Sequence, residues 1–177
     1  MPIGPLHLGF TLPVFARFRA RLELLPLAIG SFIPDIELLL MWPVAGSIKA
    51  ARGVMHSLLG AFTIDLAFTL LFAYLVAPPL VAWYVKKVGD PSQAKFAGGD
   101  FSARPSRFGV AVGSALLGTV SHVLIDVFSH DRNPLFWPWD DGQGLHLMLL
   151  GRWPSSVLMH ALVGGLLAWA AWKYWRK

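Results

Sequence analysis

His122, Asp126 and His130 recur every four residues in the run Ser121-His122-Val123-Leu124-Ile125-Asp126-Val127-Phe128-Ser129-His130. On a helix that step turns only about 40°, so all three side chains share one face. Imidazole and carboxylate at this spacing can grip a divalent ion. The intervening residues are mostly apolar, and an ionisable stripe in hydrocarbon is costly unless it binds something. Further candidate ligands come from distant stretches: His7, Asp35 in Gly30-Ser31-Phe32-Ile33-Pro34-Asp35, His56, and His146. No single helix supplies five ligands to one centre, so the segments must converge.

The elements that must position these residues are apolar blocks. The chain has 177 residues, of which 55% are hydrophobic and 14% charged, with a mean hydropathy of +0.57. Charged residues make up about a quarter of a soluble domain. The sequence therefore predicts an all-α, polytopic membrane bundle of four to five helices, folded as one domain over residues 1–177. Crossing a bilayer takes about 20 apolar residues. Leu22 to Trp42, Met55 to Ala77, Phe108 to Phe128 and Ser156 to Trp172 approach or meet that length. Pro26 and Pro34 predict a kink or break in the first block. Pro2 to Ala16 is a shorter fifth stretch, inserted or interfacial. It has no Lys or Arg ahead of its apolar residues, the reverse of a secretory signal. Residues 78–107 and 130–154 are the expected loops, with Leu80 to Val85 a candidate interfacial helix at the start of the first.

Basic residues orient the bundle. With Arg17, Arg19 and Arg21 in the cytoplasm, Lys86, Lys87, Lys95, Arg104, Arg107, Lys173, Arg176 and Lys177 fall on the same side. Lys49, Arg52, Arg132 and Arg152 fall outside, which obeys the positive-inside rule. The expectation is an integral protein of the inner or plasma membrane. Asp35, His56, His122, Asp126, His130, His146 and His160 then all lie toward the extracytoplasmic side, and His7 joins them if the N-terminal stretch is inserted with its start outward. Trp42, Trp137, Trp139 and Trp153 form an aromatic belt there. The net charge of +5 serves topology rather than nucleic-acid binding. The chain has no cysteine, so thiolate zinc sites, disulfides and thiol nucleophiles are excluded.

Ordinary packing explains some polar residues better. His160 reads as a hydrogen-bonded helix histidine. Asp65, mid-way along the second block, reads as a protonated or paired carboxyl. Glu37 is two residues from Asp35 and faces elsewhere on a helix, outside the ligand set. The HxxxH and HxxHH boxes of membrane di-iron oxygenases and the HExxH of zinc proteases do not occur. Ser57 beside His56 and Ser121 beside His122 point about 100° away from those imidazoles, which argues against a Ser–His nucleophile.

The sequence resembles a family of uncharacterised membrane-bound metal-dependent hydrolases. The resemblance rests on Pro5-Leu6-His7, Gly30-Ser31-Phe32-Ile33-Pro34-Asp35, His56-Ser57-Leu58-Leu59-Gly60 and Ser121-His122-Val123-Leu124-Ile125-Asp126. The order of His and Asp is also distantly similar to zinc-dependent phospholipase C and P1 nuclease, which cleave phosphate esters with three zinc ions. That resemblance implies His7 and Asp126 on one ion, Asp35, His56, His122 and Asp126 on a second, and His130 and His146 on a third. Two features depart from it. Those enzymes use an N-terminal Trp where this sequence has Met1. Their last His is followed four residues later by Glu, where His146 is followed by Leu150, leaving Asp140 or Asp141 as substitutes. One or two ions are therefore expected; imidazole with carboxylate suits zinc, manganese or iron, and the resemblance implies zinc.

The function so implied is metal-dependent hydrolysis of a phosphate ester, with a membrane lipid phosphate as substrate. Asp35 and Asp126 are the catalytic candidates. Arg132 is the candidate phosphate-binding residue, with Arg152 the weaker choice. The alternatives are a non-enzymatic membrane transporter or sensor of metal ions or protons, using Asp65 as a step, and a structural membrane protein.

Overall fold

The computed structural model describes residues 7–88, 104–140, 142 and 151–175. Every regular element within them is helical. The helices are α1 (Leu8–Phe18), α2 (Leu24–Gly30), α3 (Asp35–Ala45), α4 (Leu58–Phe62), α5 (Ile64–Leu71), α6 (Ala77–Val88), α7 (Phe108–Ser129) and α8 (Arg152–Trp175). A π-helical turn, Phe72–Val76, joins α5 to α6.

Three stretches among the described residues are long and apolar enough to cross a membrane: Leu24–Ala45, Ile64–Lys87 and Pro105–Ser129. The first combines α2 and α3 and bends between them, with Pro34 immediately before α3. The expected fourth crossing lies within α8, a helix of 24 residues that is not one of these three. Leu39, Leu40, Val44, Phe68 and Leu75 point outward, apolar surface that suits hydrocarbon.

The second crossing is displaced from its expected bounds. Residues 54–62 form a 3-10 turn and α4, and the chain breaks helical geometry at Thr63. The Ser57 hydroxyl caps α4 by accepting from the Gly60 N–H at 3.0 Å, which starts a separate short helix inside a continuous apolar run. At its other end the crossing passes through Pro78-Pro79. Both prolines directly follow the wider π turn within this continuous helix, the kind of local adjustment that lets a membrane-crossing helix tolerate missing N–H groups. Part of the expected 78–107 loop is thus helix.

α2 lies directly on α7, and two glycines permit it. A Cβ on Gly30 would sit 2.6 Å from the Ala115 carbonyl oxygen, and one on Gly118 would sit 2.5 Å from that of Leu27. Small residues let backbones approach where lipid supplies no hydrophobic drive between helices. Hydrogen bonds pin the contact: Glu23 N–H donates to Ser114 Oγ (2.9 Å), and Thr11 and Ser31 hydroxyls meet at 3.2 Å, tying α1 to α2. Thr119 Oγ1 donates to the Ala61 carbonyl (3.1 Å), tying α4 to α7.

These contacts set directions. Glu23 meets Ser114 and Ser31 meets His122, so α2 runs parallel to α7. Ala61 meets Thr119 while Tyr74 reaches Arg104, so the second crossing runs antiparallel to α7. The end of α2, the turn before α4 and the end of α7 are thereby brought to one end of the bundle.

Candidate metal centre

At that end, eight ionisable side chains meet. His7 precedes α1. Asp35 and Glu37 occupy the first turn of α3. Arg52 lies in the connection after α3, and His56 ends the 3-10 turn. His122 and Asp126 stand one turn apart on α7, and His130 is the residue just past its end. His7, Arg52, His56, His122, Asp126 and His130 are all buried.

Two imidazoles are fixed in the tautomer a metal requires. His122 Nδ1 lies 2.8 Å from the Ser31 carbonyl oxygen. His56 Nδ1 lies 2.8 Å from Glu37 Oε2. Both partners can only accept, so each Nδ1 carries the proton and each neutral ring presents its Nε2 lone pair. Those Nε2 atoms are buried and have no hydrogen-bond partner among the described residues. A buried unsatisfied polar atom costs about 1–3 kcal/mol.

Both Nε2 atoms face the same two carboxylates. His56 Nε2 is 3.7 Å from Asp35 Oδ1 and 3.9 Å from Asp126 Oδ2. His122 Nε2 is 3.7 Å from each of those oxygens. These separations are too long for good hydrogen bonds. Zinc bonds of about 2.0–2.2 Å in tetrahedral geometry would put neighbouring ligand atoms roughly 3.3–3.6 Å apart. His7 Nε2 lies 3.6 Å from Asp126 Oδ1, and its ring stacks on that of His122 with centroids 3.8 Å apart. Two triads bring ligand atoms within 4.8 Å of one another, Asp35–His56–His122 and His7–His122–Asp126. The donor set fits a divalent ion, and these buried groups could hold one.

Arg52 meets Asp126 at the same oxygen that His56 and His122 face. Its Nη1 donates to Asp126 Oδ2, and its Nη2 lies 2.8 Å from His130 Nε2. His130 Nε2 is also 3.3 Å from Asp126 Oδ1. Burial pushes the His130 imidazole below its ordinary pKa, outweighing the Asp126 carboxylate beside it. His56 is moved the other way. Burial and the Arg52 charge press it down, but the nearby Asp35 carboxylate, the hydrogen bond to Glu37 and the Asp126 charge leave it above its ordinary value.

The whole chain, residues 1–177, matches the model of a domain of unknown function, DUF4184. The chain belongs to this family. The family's description names no activity. No curated protein and no solved structure matches the chain.

Within this DUF4184 chain the remaining sequence candidates are placed as follows. Arg132 is half-buried at the same end, and its Nη1 donates to the Lys49 carbonyl at 3.5 Å. His160 donates from Nδ1 to the Ser156 carbonyl one turn back at 2.7 Å, an ordinary helix contact. Asp140 accepts from Gly142 N–H at 2.9 Å. His146 and Asp141 lie outside the described residues, as does the side chain of Arg152. Glu37 belongs to neither triad, in line with its helix face, but it holds His56 from behind. The role of Arg52 against Asp126 and His130 is not legible in the sequence, where it reads as a topology charge.

Proposed function

We propose that the chain is a membrane-embedded, metal-dependent hydrolase of phosphate esters, with zinc as its ion and a lipid phosphate as its substrate. The observation that carries this reading is the pair of buried Nε2 atoms, on His56 and His122, aimed at Asp35 and Asp126. Those four residues would hold the ion, with His7 beside Asp126. Imidazole with carboxylate suits zinc among the common divalent ions. When bound, such an ion acidifies water to a pKa of about 7 and polarises a phosphoryl oxygen.

The chain's own residues supply the rest. Asp35 has a side chain 20% exposed, against 2% for Asp126. Asp35 is therefore the carboxylate that meets water and can take a proton from it. Asp126, held by Arg52, keeps its position. Arg132, at the rim, has the planar donor fork that recognises a phosphate. The positive-inside count supports an extracytoplasmic mouth, where a lipid headgroup reaches the site without leaving the bilayer.

The test is phosphate release from phospholipid and polyprenyl phosphate by purified protein, with and without chelator. Release that chelation abolishes, zinc restores and His122→Ala lacks is the expected result. Stoichiometric metal with no release across the panel would refute hydrolysis.

One observation favours a second reading, transport or sensing of an ion. Asp65, expected mid-way along the second crossing, is fully buried in its first turn instead, because the crossing starts at Ile64, and neither carboxylate oxygen has a hydrogen-bond partner among the described residues. Asp65→Asn separates the two. It abolishes ion flux in a transporter and leaves phosphate release intact in a hydrolase.

A further inference from the structure

We infer that Arg52 is a built-in second cation, and that it restricts this centre to a single divalent ion. The inference rests on the metal-site reading above and adds its stoichiometry.

The guanidinium is itself buried, with 3% of its side chain exposed, and it touches both Asp126 and His130. Those are residues that similarity to the three-zinc enzymes would assign to additional ions. A guanidinium has donors only. His130 Nε2 must therefore spend its lone pair on Arg52 rather than on a metal. Nη1 likewise takes one lone pair of Asp126 Oδ2, the oxygen that also faces His56 and His122, and so reduces what Asp126 can offer to a further ion.

His122 imposes a second limit. Both candidate triads require it, yet its Nδ1 is committed to the Ser31 carbonyl. One free lone pair serves one ion. The two triads are thus parts of a single coordination sphere, not two filled sites.

Charge agrees. The side chains joined by contacts within 4 Å include the carboxylates of Asp35, Glu37 and Asp126 and the guanidinium of Arg52. With neutral imidazoles they sum to a charge of −2. One divalent ion neutralises this cluster. Two would leave it at +2 among apolar helices, where unbalanced charge is expensive. Arg52 therefore acts as a positioning residue: it fixes Asp126 beside the ion and removes His130 from the ligand set.

Equilibrium dialysis of the purified full-length protein against Zn²⁺, followed by elemental analysis, reads the stoichiometry directly. Wild type is expected to bind one ion. Arg52→Met frees Asp126 Oδ2 and His130 Nε2 and should admit a second ion, whereas Arg52→Lys, which restores the charge, should return the count to one. His130→Ala provides an independent arm and should still bind one ion, with Arg52 kept against Asp126. Two ions in wild type, an unchanged count in folded Arg52→Met, or loss of the ion in folded His130→Ala would each overturn the inference. No ion in wild type would instead remove the metal-site reading itself, and this inference with it.

Discussion

Glu37 makes the sharpest test of how the centre is tuned. Its Oε2 accepts from His56 Nδ1 at 2.8 Å and from Gly53 N–H at 2.9 Å, and its Oε1 accepts from Met55 N–H at 3.3 Å. In Glu37→Gln the amide oxygen can keep the first two bonds, while the amide nitrogen faces the Met55 N–H, donor against donor. The bond to His56 also loses its charge. Hydrogen bonds to charged groups contribute about 1.5–3 kcal/mol and neutral ones about 0.5–1.5, so the His56 contact weakens by roughly 1–1.5 kcal/mol. That corresponds to about tenfold in affinity, at the lower edge of the 10–100-fold effect typical of residues that orient a metal-bound histidine. The expected result is a zinc affinity about tenfold weaker by competition with a chelating indicator, with the ion count unchanged. Glu37→Ala goes further. It strands three donors at about 1 kcal/mol or more each and should lower folding stability by ~3 kcal/mol. Circular dichroism of Glu37→Gln distinguishes the two effects, because its helix content should match wild type. An unaltered zinc affinity in Glu37→Gln would refute the role assigned to this carboxylate.

Two further outcomes follow from the packing and the ion. Gly118→Ala would place a Cβ 2.5 Å from the Leu27 carbonyl oxygen and 2.9 Å from the Ser31 nitrogen, forcing α2 off α7 and carrying away the carbonyl that holds His122. Overpacking of this kind costs about 1–3 kcal/mol, so a lower thermal midpoint and weaker zinc retention are expected in detergent-solubilised protein. An unchanged midpoint would contradict the close crossing. Chelation should also lower the midpoint: an ion present at about 100 times its dissociation constant stabilises the folded state by about 2.7 kcal/mol. Thermal scans should show this response in wild type and its absence in His122→Ala.

How far the sequence disclosed this architecture differs by element. The α7 stripe was readable because His122 and Asp126 share one helix, where spacing fixes the face. The gathering of His7, Asp35 and His56 at the same end followed from alternating crossings and basic flanks. The start of the second crossing was hidden, because the apolar run continues through Thr63 and hydropathy does not register a backbone break. The helix-face rule keeps Glu37 out of the ligand set but hides its hold on His56. Positions two apart on a helix do face different ways, and Asp35 and Glu37 do so here. However, the His56 ring enters between them and offers Nε2 toward one and Nδ1 to the other. Two helix faces can thus serve one imidazole, which a single-helix projection does not reveal. Arg52 lies in a connection with no periodicity to read, and its partners are 74 and 78 residues away in sequence.

The cluster also shows how hydrogen-bond partners can sort otherwise equivalent histidines. His56 and His122 each meet an acceptor at Nδ1, a carboxylate in one case and a backbone carbonyl in the other. An acceptor there fixes the proton on Nδ1 and turns the Nε2 lone pair toward Asp35 and Asp126. His130 meets a donor at Nε2 instead, the Arg52 guanidinium, and a donor there uses the lone pair up. Residue type alone gives all three the same capacity to bind zinc. The side of the ring approached, and whether the partner gives or takes a proton, separates the two offered to an ion from the one already engaged. Exchanging Arg52 for an acceptor would reverse that assignment at His130 without altering any histidine.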